Sequence, residues 1–185
     1  MATIAADTFH TSATHSGPDV ARLARLGLMT VLPLAALGGA NFIGEATGFT
    51  PLFFSPAGMQ GWMGAVAHLV VLAPLGLALG LSMESSRAGN HAELWLVAFI
   101  AGLIAFPFFA PLLDAFALAL VMTSLVLLGM AAGLRVARRS SLAGWLMAPA
   151  LIWIGFGSAL GLAMTAAFSP PFALVNAQQP VLPAS

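Results

Sequence analysis

Five stretches of this chain are each long and apolar enough to cross a bilayer, and this restricts the fold more than any other feature. They run over roughly 23–43, 59–83, 92–112, 115–136 and 144–168. A spanning helix needs about 20 mostly apolar residues. In lipid every backbone N–H and C=O must be satisfied by the chain itself, so a span is a helix or a strand of a closed barrel. These stretches are too long and too continuously apolar for barrel strands, which alternate in polarity. Composition agrees: 60% of residues are hydrophobic and 6% charged, against about 25% charged in a soluble domain. The expectation is an all-α, five-transmembrane-helix bundle over residues 21–168. A polar, disordered tail is expected over 1–20 and a Pro-rich tail over 169–185.

The arginines set the orientation. All six basic residues are arginine. Arg22 and Arg25 stand at the start of span 1, Arg87 between spans 2 and 3, and Arg135, Arg138 and Arg139 between spans 4 and 5. With five spans they fall on one side, which the positive-inside rule makes the cytoplasmic one. The N-terminus is predicted inside and the C-terminus outside, in a bacterial inner membrane. Residues 22–40 have some features of a late signal peptide, but the polar lead before them favours a retained first span.

Several function classes find no support. A formal net charge of zero argues against nucleic acid as a partner. Without cysteine the chain has no disulfide, thiolate metal site or thiol nucleophile. It lacks a Ser/His/Asp pattern, an HExxH motif and paired intramembrane carboxylates, so no enzyme is expected. His10 and His15 in the N-terminal tail do not make a coordination cage.

Ionisable groups inside a membrane are functional candidates, and the clear case is His68, about ten residues into span 2. On a helix its N-terminal side is cleared of bulk by Gly61, Gly64 and Ala65. One reading lays a flat macrocycle there, with the imidazole as axial ligand of a haem or (bacterio)chlorophyll. The simpler reading is a neutral histidine bonded to a carbonyl or serine of a neighbouring helix, with the glycines allowing close packing. Asp114, in the tight 3–4 connection, is expected to cap span 4. Glu93 and His91 lie within reach of headgroups at the start of span 3. Asn41 and Glu45 stand where span 1 meets a long, Pro- and Phe-rich loop.

Pro33, Pro74, Pro107 and Pro149 each fall within a span, and each frees a backbone carbonyl. Kinks at these four positions predict a bundle with an internal cavity. Pairs of the GxxxG type occur at Gly76–Gly80, Gly129–Gly133 and Gly157–Gly161; they serve either packing inside the bundle or dimerisation. In the fifth span Pro149, Trp153, Phe156 and Leu160 share one helical face, the expected wall of a cavity. The first loop, with Phe53 and Phe54, is the expected lid.

The run PALIWIGFGSAL, residues 149–160, resembles the last helix of the translocator protein family, the tryptophan-rich sensory proteins (TspO/MBR). Pro149, Leu151, Trp153, Phe156 and Leu160 match that helix, while Ala150 and Gly161 replace its tyrosine and asparagine. In the third span Pro107, Phe108 and Phe109 match, without the family's asparagine and tryptophan. Pro51 and Pro56 precede Trp62 as in the family's first loop, and His68 stands at the position of a second tryptophan. The resemblance implies a homodimeric five-helix protein with a pocket closed by loop 1, which receives porphyrins, haem or sterol-like lipids.

On that basis the chain is expected to bind or move a tetrapyrrole, carotenoid or sterol-like lipid. Phe53, Phe54, Trp62, His68, Pro107, Phe108, Pro149, Trp153 and Phe156 are the candidate contacts, around a cavity walled by spans 2 and 5. The competing reading is an accessory membrane subunit of a photosynthetic or respiratory complex, with His68 on a bacteriochlorophyll or haem.

Overall fold

The computed structural model describes residues 19–85 and 91–168; both tails, with His10 and His15, and Arg87 lie outside them. Helix α1 covers Val20–Thr47 and α2 covers Gly61–Glu84, while α3 spans Ala92–Phe109 and α4 spans Ala115–Ala137. The fifth span divides into α5, Ser141–Leu146, and α6, Ala148–Phe168. All five spans are long and apolar enough to cross a membrane, and no strand occurs among the described residues.

Local chemistry sets the helix ends. Asp19 starts α1 by accepting from the Ala21 and Arg22 N–H groups, so α1 begins at Val20, ahead of the span expected from about residue 23. It ends at Gly48, whose φ of 78° is a left-handed conformation that glycine adopts without strain. Asp114 Oδ1 accepts from the Ala117 N–H at 2.7 Å, the cap expected from sequence. The fifth span starts earlier than its apolar run, because Ser140 Oγ accepts from the Ala143 N–H at 3.2 Å. Pro33, Pro74 and Pro107 lie inside unbroken helices. At Pro149, the second residue of α6, the span breaks around Met147.

The helices form a ring in the order α1, α2, fifth span, α4, α3. Leu72, Leu75, Leu96, Phe99, Leu103 and Met147 fill its centre and are fully buried. Glycine sets the closest approaches. A methyl at Gly76 would overlap the Met29 carbonyl, which Pro33 leaves without its helical donor. One at Gly80 would lie 2.9 Å from Leu26, and one at Gly129 2.6 Å from Phe99. At Gly157 it would lie 2.5 Å from Met122. All three GxxxG pairs are therefore turned into the bundle. Between α4 and α6 the seam is polar as well: Thr123 and Ser158 share a hydrogen bond of 2.8 Å.

The charged groups tie one end of the ring together. Arg22 and Arg25 both bind Glu84, at 3.0 and 2.7 Å, joining α1 to α2. Arg139 pairs with Glu93, joining the α4–α5 turn to α3, and the Arg135 guanidinium lies 4.1 Å over the Trp95 ring. Glu45 and Asp114 stand at the other end, where α1 stops and α4 starts.

Candidate functional site

Loop 1, between α1 and α2, is seated on the bundle by three glycines and two prolines. A methyl at Gly44 of α1 would meet the Phe49 carbonyl at 2.8 Å and Phe108 at 3.0 Å. One at Gly64 of α2 would overlap Ser55 and lie 2.5 Å from the Phe54 carbonyl. One at Gly157 of α6 would touch the Phe54 ring at 3.4 Å. Three helices thus omit a side chain where the loop lies on them.

The prolines supply the polar anchors. Pro107 has no N–H, so the Leu103 carbonyl one turn earlier loses its helical donor. His68 fills that place, its Nε2 lying 3.0 Å from the Leu103 oxygen. A carbonyl only accepts, so Nε2 carries the proton. Pro111 repeats the pattern one turn on. It leaves the Pro107 carbonyl free, and the Leu52 N–H of the loop donates to it at 2.8 Å. Two prolines four residues apart thereby expose two acceptors in an apolar setting. One holds α2 and the other holds loop 1.

The aromatic residues of the loop complete the arrangement. Phe53 meets the His68 ring edge-on, with centroids 5.5 Å apart. Phe54 meets Trp153 at 5.4 Å and Phe156 at 6.1 Å, both edge-on. These are the spacings of favourable aromatic pairs. Both phenylalanines are half-buried. The structure thus brings Phe53, Phe54, His68, Pro107, Trp153 and Phe156 to one loop seat, and Phe108 lies beside it against Gly44.

Two apolar clefts flank the seat. One, of about 280 Å³, lies between loop residues 52–55, Phe106 of α3, and Leu118 and Met122 of α4. The other, of about 210 Å³, lies between Leu37 and Asn41 of α1, Ala65 and Leu69 of α2, and Phe53. Phe53 lines both. Neither lining contains a charged residue.

Three expectations need correction. The larger loop cleft is walled by α3 and α4, not by spans 2 and 5. Trp62 is outside the cluster: it is 63% exposed and bonded to Gln60. The Pro149–Trp153–Phe156–Leu160 face is not buried as a wall. Pro149, Phe156 and Leu160 are exposed, and Met147, Ala150, Ile154 and Ser158 form the packed face. In a membrane both lipid and protein interior are apolar, so hydrophobicity does not tell the inner face from the outer. Phe106, Leu118 and Met122 were missed because nothing sets them apart from other apolar residues of their spans.

A macrocycle on His68 does not fit this arrangement. The Nε2 atom is held by Leu103, and the space over Gly64 is taken by Ser55 and the Phe54 backbone. Among the described residues no group of three or more His, Asp or Glu side chains could hold a metal ion. Comparison with protein-family models, curated proteins and solved structures finds no match.

Proposed function

We propose that this chain is a divergent member of the translocator protein family, binding or moving a neutral hydrophobic small molecule beneath its first loop. A neutral lipid suits this reading better than a tetrapyrrole, given the uncharged linings and the engaged His68. The observation that carries the reading is the seating of loop 1: Phe49, Phe54 and Ser55 lie on glycines of three helices, and Phe53 and Phe54 border two apolar clefts. Small-molecule sites are mostly apolar concavities with few polar groups. The role is one of binding or transport and not catalysis, in a bacterial inner membrane with the N-terminus inside. If the protein works as a homodimer or as a subunit of a larger complex, contact is made through faces other than the three GxxxG pairs.

The test is to purify the full chain in mild detergent, record its absorption spectrum, and identify retained molecules by extraction and mass spectrometry. The reading expects a neutral apolar compound in stoichiometric amount, reduced when Phe54→Ala is introduced. A stoichiometric tetrapyrrole whose Soret or Qy band disappears in His68→Ala would replace this reading with that of a pigment-complex subunit.

A further inference from the structure

We propose that Phe53 is a gate between the two loop clefts, and that together these form one site for a neutral single-chain lipid. The inference rests on the reading that loop 1 covers a binding site, and it names the ligand class and the residue controlling access.

The two clefts are of a size to be halves of one site. Clefts of about 280 and 210 Å³ are each smaller than the roughly 300–1,000 Å³ of small-molecule sites. Joined, they fall within that range. The Phe53 side chain borders both, and no other residue is common to the two linings.

Phe53 is held by its backbone and by His68. Its ring rests edge-on against His68, and His68 is fixed by the carbonyl that Pro107 leaves open. The next backbone N–H, that of Leu52, is fixed by the Pro107 carbonyl itself. The backbone beside the ring is thus anchored while the ring is only half-buried. A side-chain rotation can therefore open the partition while the Leu52 anchor stays in place.

Shape and charge identify the occupant. A passage opened by one phenylalanine ring admits a single chain and excludes a rigid fused-ring system. The linings hold no charged side chain. A carboxylate or ammonium group buried there would lack a partner, at heavy cost. The polar side chains are Ser55 in the first cleft and Asn41 in the second. Asn41 lies toward the end of α1, and its amide donates to Glu45 Oε1 at 3.4 Å, a long contact that a ligand hydroxyl can replace. The head of a long-chain alcohol is placed at Asn41, with its tail passing Phe53 toward Leu118 and Met122.

A hexadecanol derivative with a diazirine at the chain end, added to the full chain in nanodiscs, tests this. Crosslinks are mapped by mass spectrometry, with unlabelled hexadecanol as competitor. In the wild type, labelling is expected at Leu118 or Met122 and to be competed away. Phe53→Trp should reduce it about tenfold, equivalent to about 1.4 kcal/mol of lost binding, while labelling near Leu34–Asn41 rises. Phe53→Leu, the mildest reduction of the ring, should increase labelling at Met122. Competed labelling at Met122 that is unchanged in both variants overturns the gate but leaves a loop-covered site standing. Competed labelling confined to α1 in the wild type and in Phe53→Leu overturns the joined site. Competition by hexadecanoate as strong as by hexadecanol overturns the neutral head. Loss of all competed labelling, in every variant, overturns the underlying binding reading as well.

Discussion

His68 illustrates how much a single residue's surroundings determine. A histidine bonded to a neighbouring carbonyl was legible from its place among glycines in span 2. The identity of that carbonyl was not, although counting back four residues from a proline, as from Pro107 to Leu103, finds a carbonyl without its helical donor. What the sequence does not carry is which proline on which helix lies opposite, since that depends on how the ring closes. The assignment makes a coupled prediction. His68→Ala strands the Leu103 oxygen and should lower stability by about 0.6–2 kcal/mol, the range for interhelical hydrogen bonds in membranes. Pro107→Ala returns an N–H one turn below Leu103. In that background His68→Ala should cost less, leaving a coupling of about 0.5 kcal/mol or more. Denaturant titration of the four proteins in detergent measures it, and strictly additive losses would show that proline and histidine are not linked through Leu103.

At the scale of elements, loop 1 depends on absent side chains as much as on present ones. Gly64 contacts Ser55 and the Phe54 backbone, whereas Gly39 on the outer face of α1 has nothing within 4 Å. The same substitution should therefore act oppositely at the two sites. Gly64→Ala forces a backbone carbonyl to move and should cost about 1–3 kcal/mol, as overpacking does. It should also speed hydrogen exchange at the Leu52 amide. Gly39→Ala fills open space and gains helix propensity, by up to about 1 kcal/mol. Equal exchange at Leu52 in both variants would mean that the loop is not seated on Gly64. The five spans themselves were readable from apolar length, and the α4 start from Asp114. The inner face of the fifth span was not readable from its aromatics. Its signal is the small residues Ala143, Ala150, Gly157 and Ser158, which let α5 and α6 approach their neighbours; Trp153 and Phe156 instead receive the loop.

For the whole molecule, the distribution of charge bears on its direction in the membrane. Among the described residues, Arg22, Arg25, Arg135, Arg138 and Arg139 lie at the end where α1 begins and α4 stops. Three of them are paired, two with Glu84 and one with Glu93. Their pairing does not remove the orienting signal, because Asp and Glu contribute little to the positive-inside rule. Among the described residues the opposite end carries Glu45 and Asp114 and no arginine. An odd number of spans then requires the chain ends to lie in different compartments. Reporter fusions at residues 1 and 185 should place the N-terminus in the cytoplasm and the C-terminus across the membrane, with the loop 1 clefts near the outer surface. Moving the signal should move the chain: Arg135, Arg138 and Arg139 changed to Ser, with two arginines introduced into loop 1, should yield a mixed or inverted population. Both ends reporting one compartment in the wild type would remove the five-span topology. Opposite compartments with the N-terminus outside would keep the fold, reverse the assignment of the arginine-bearing end, and place the loop 1 clefts at the cytoplasmic surface.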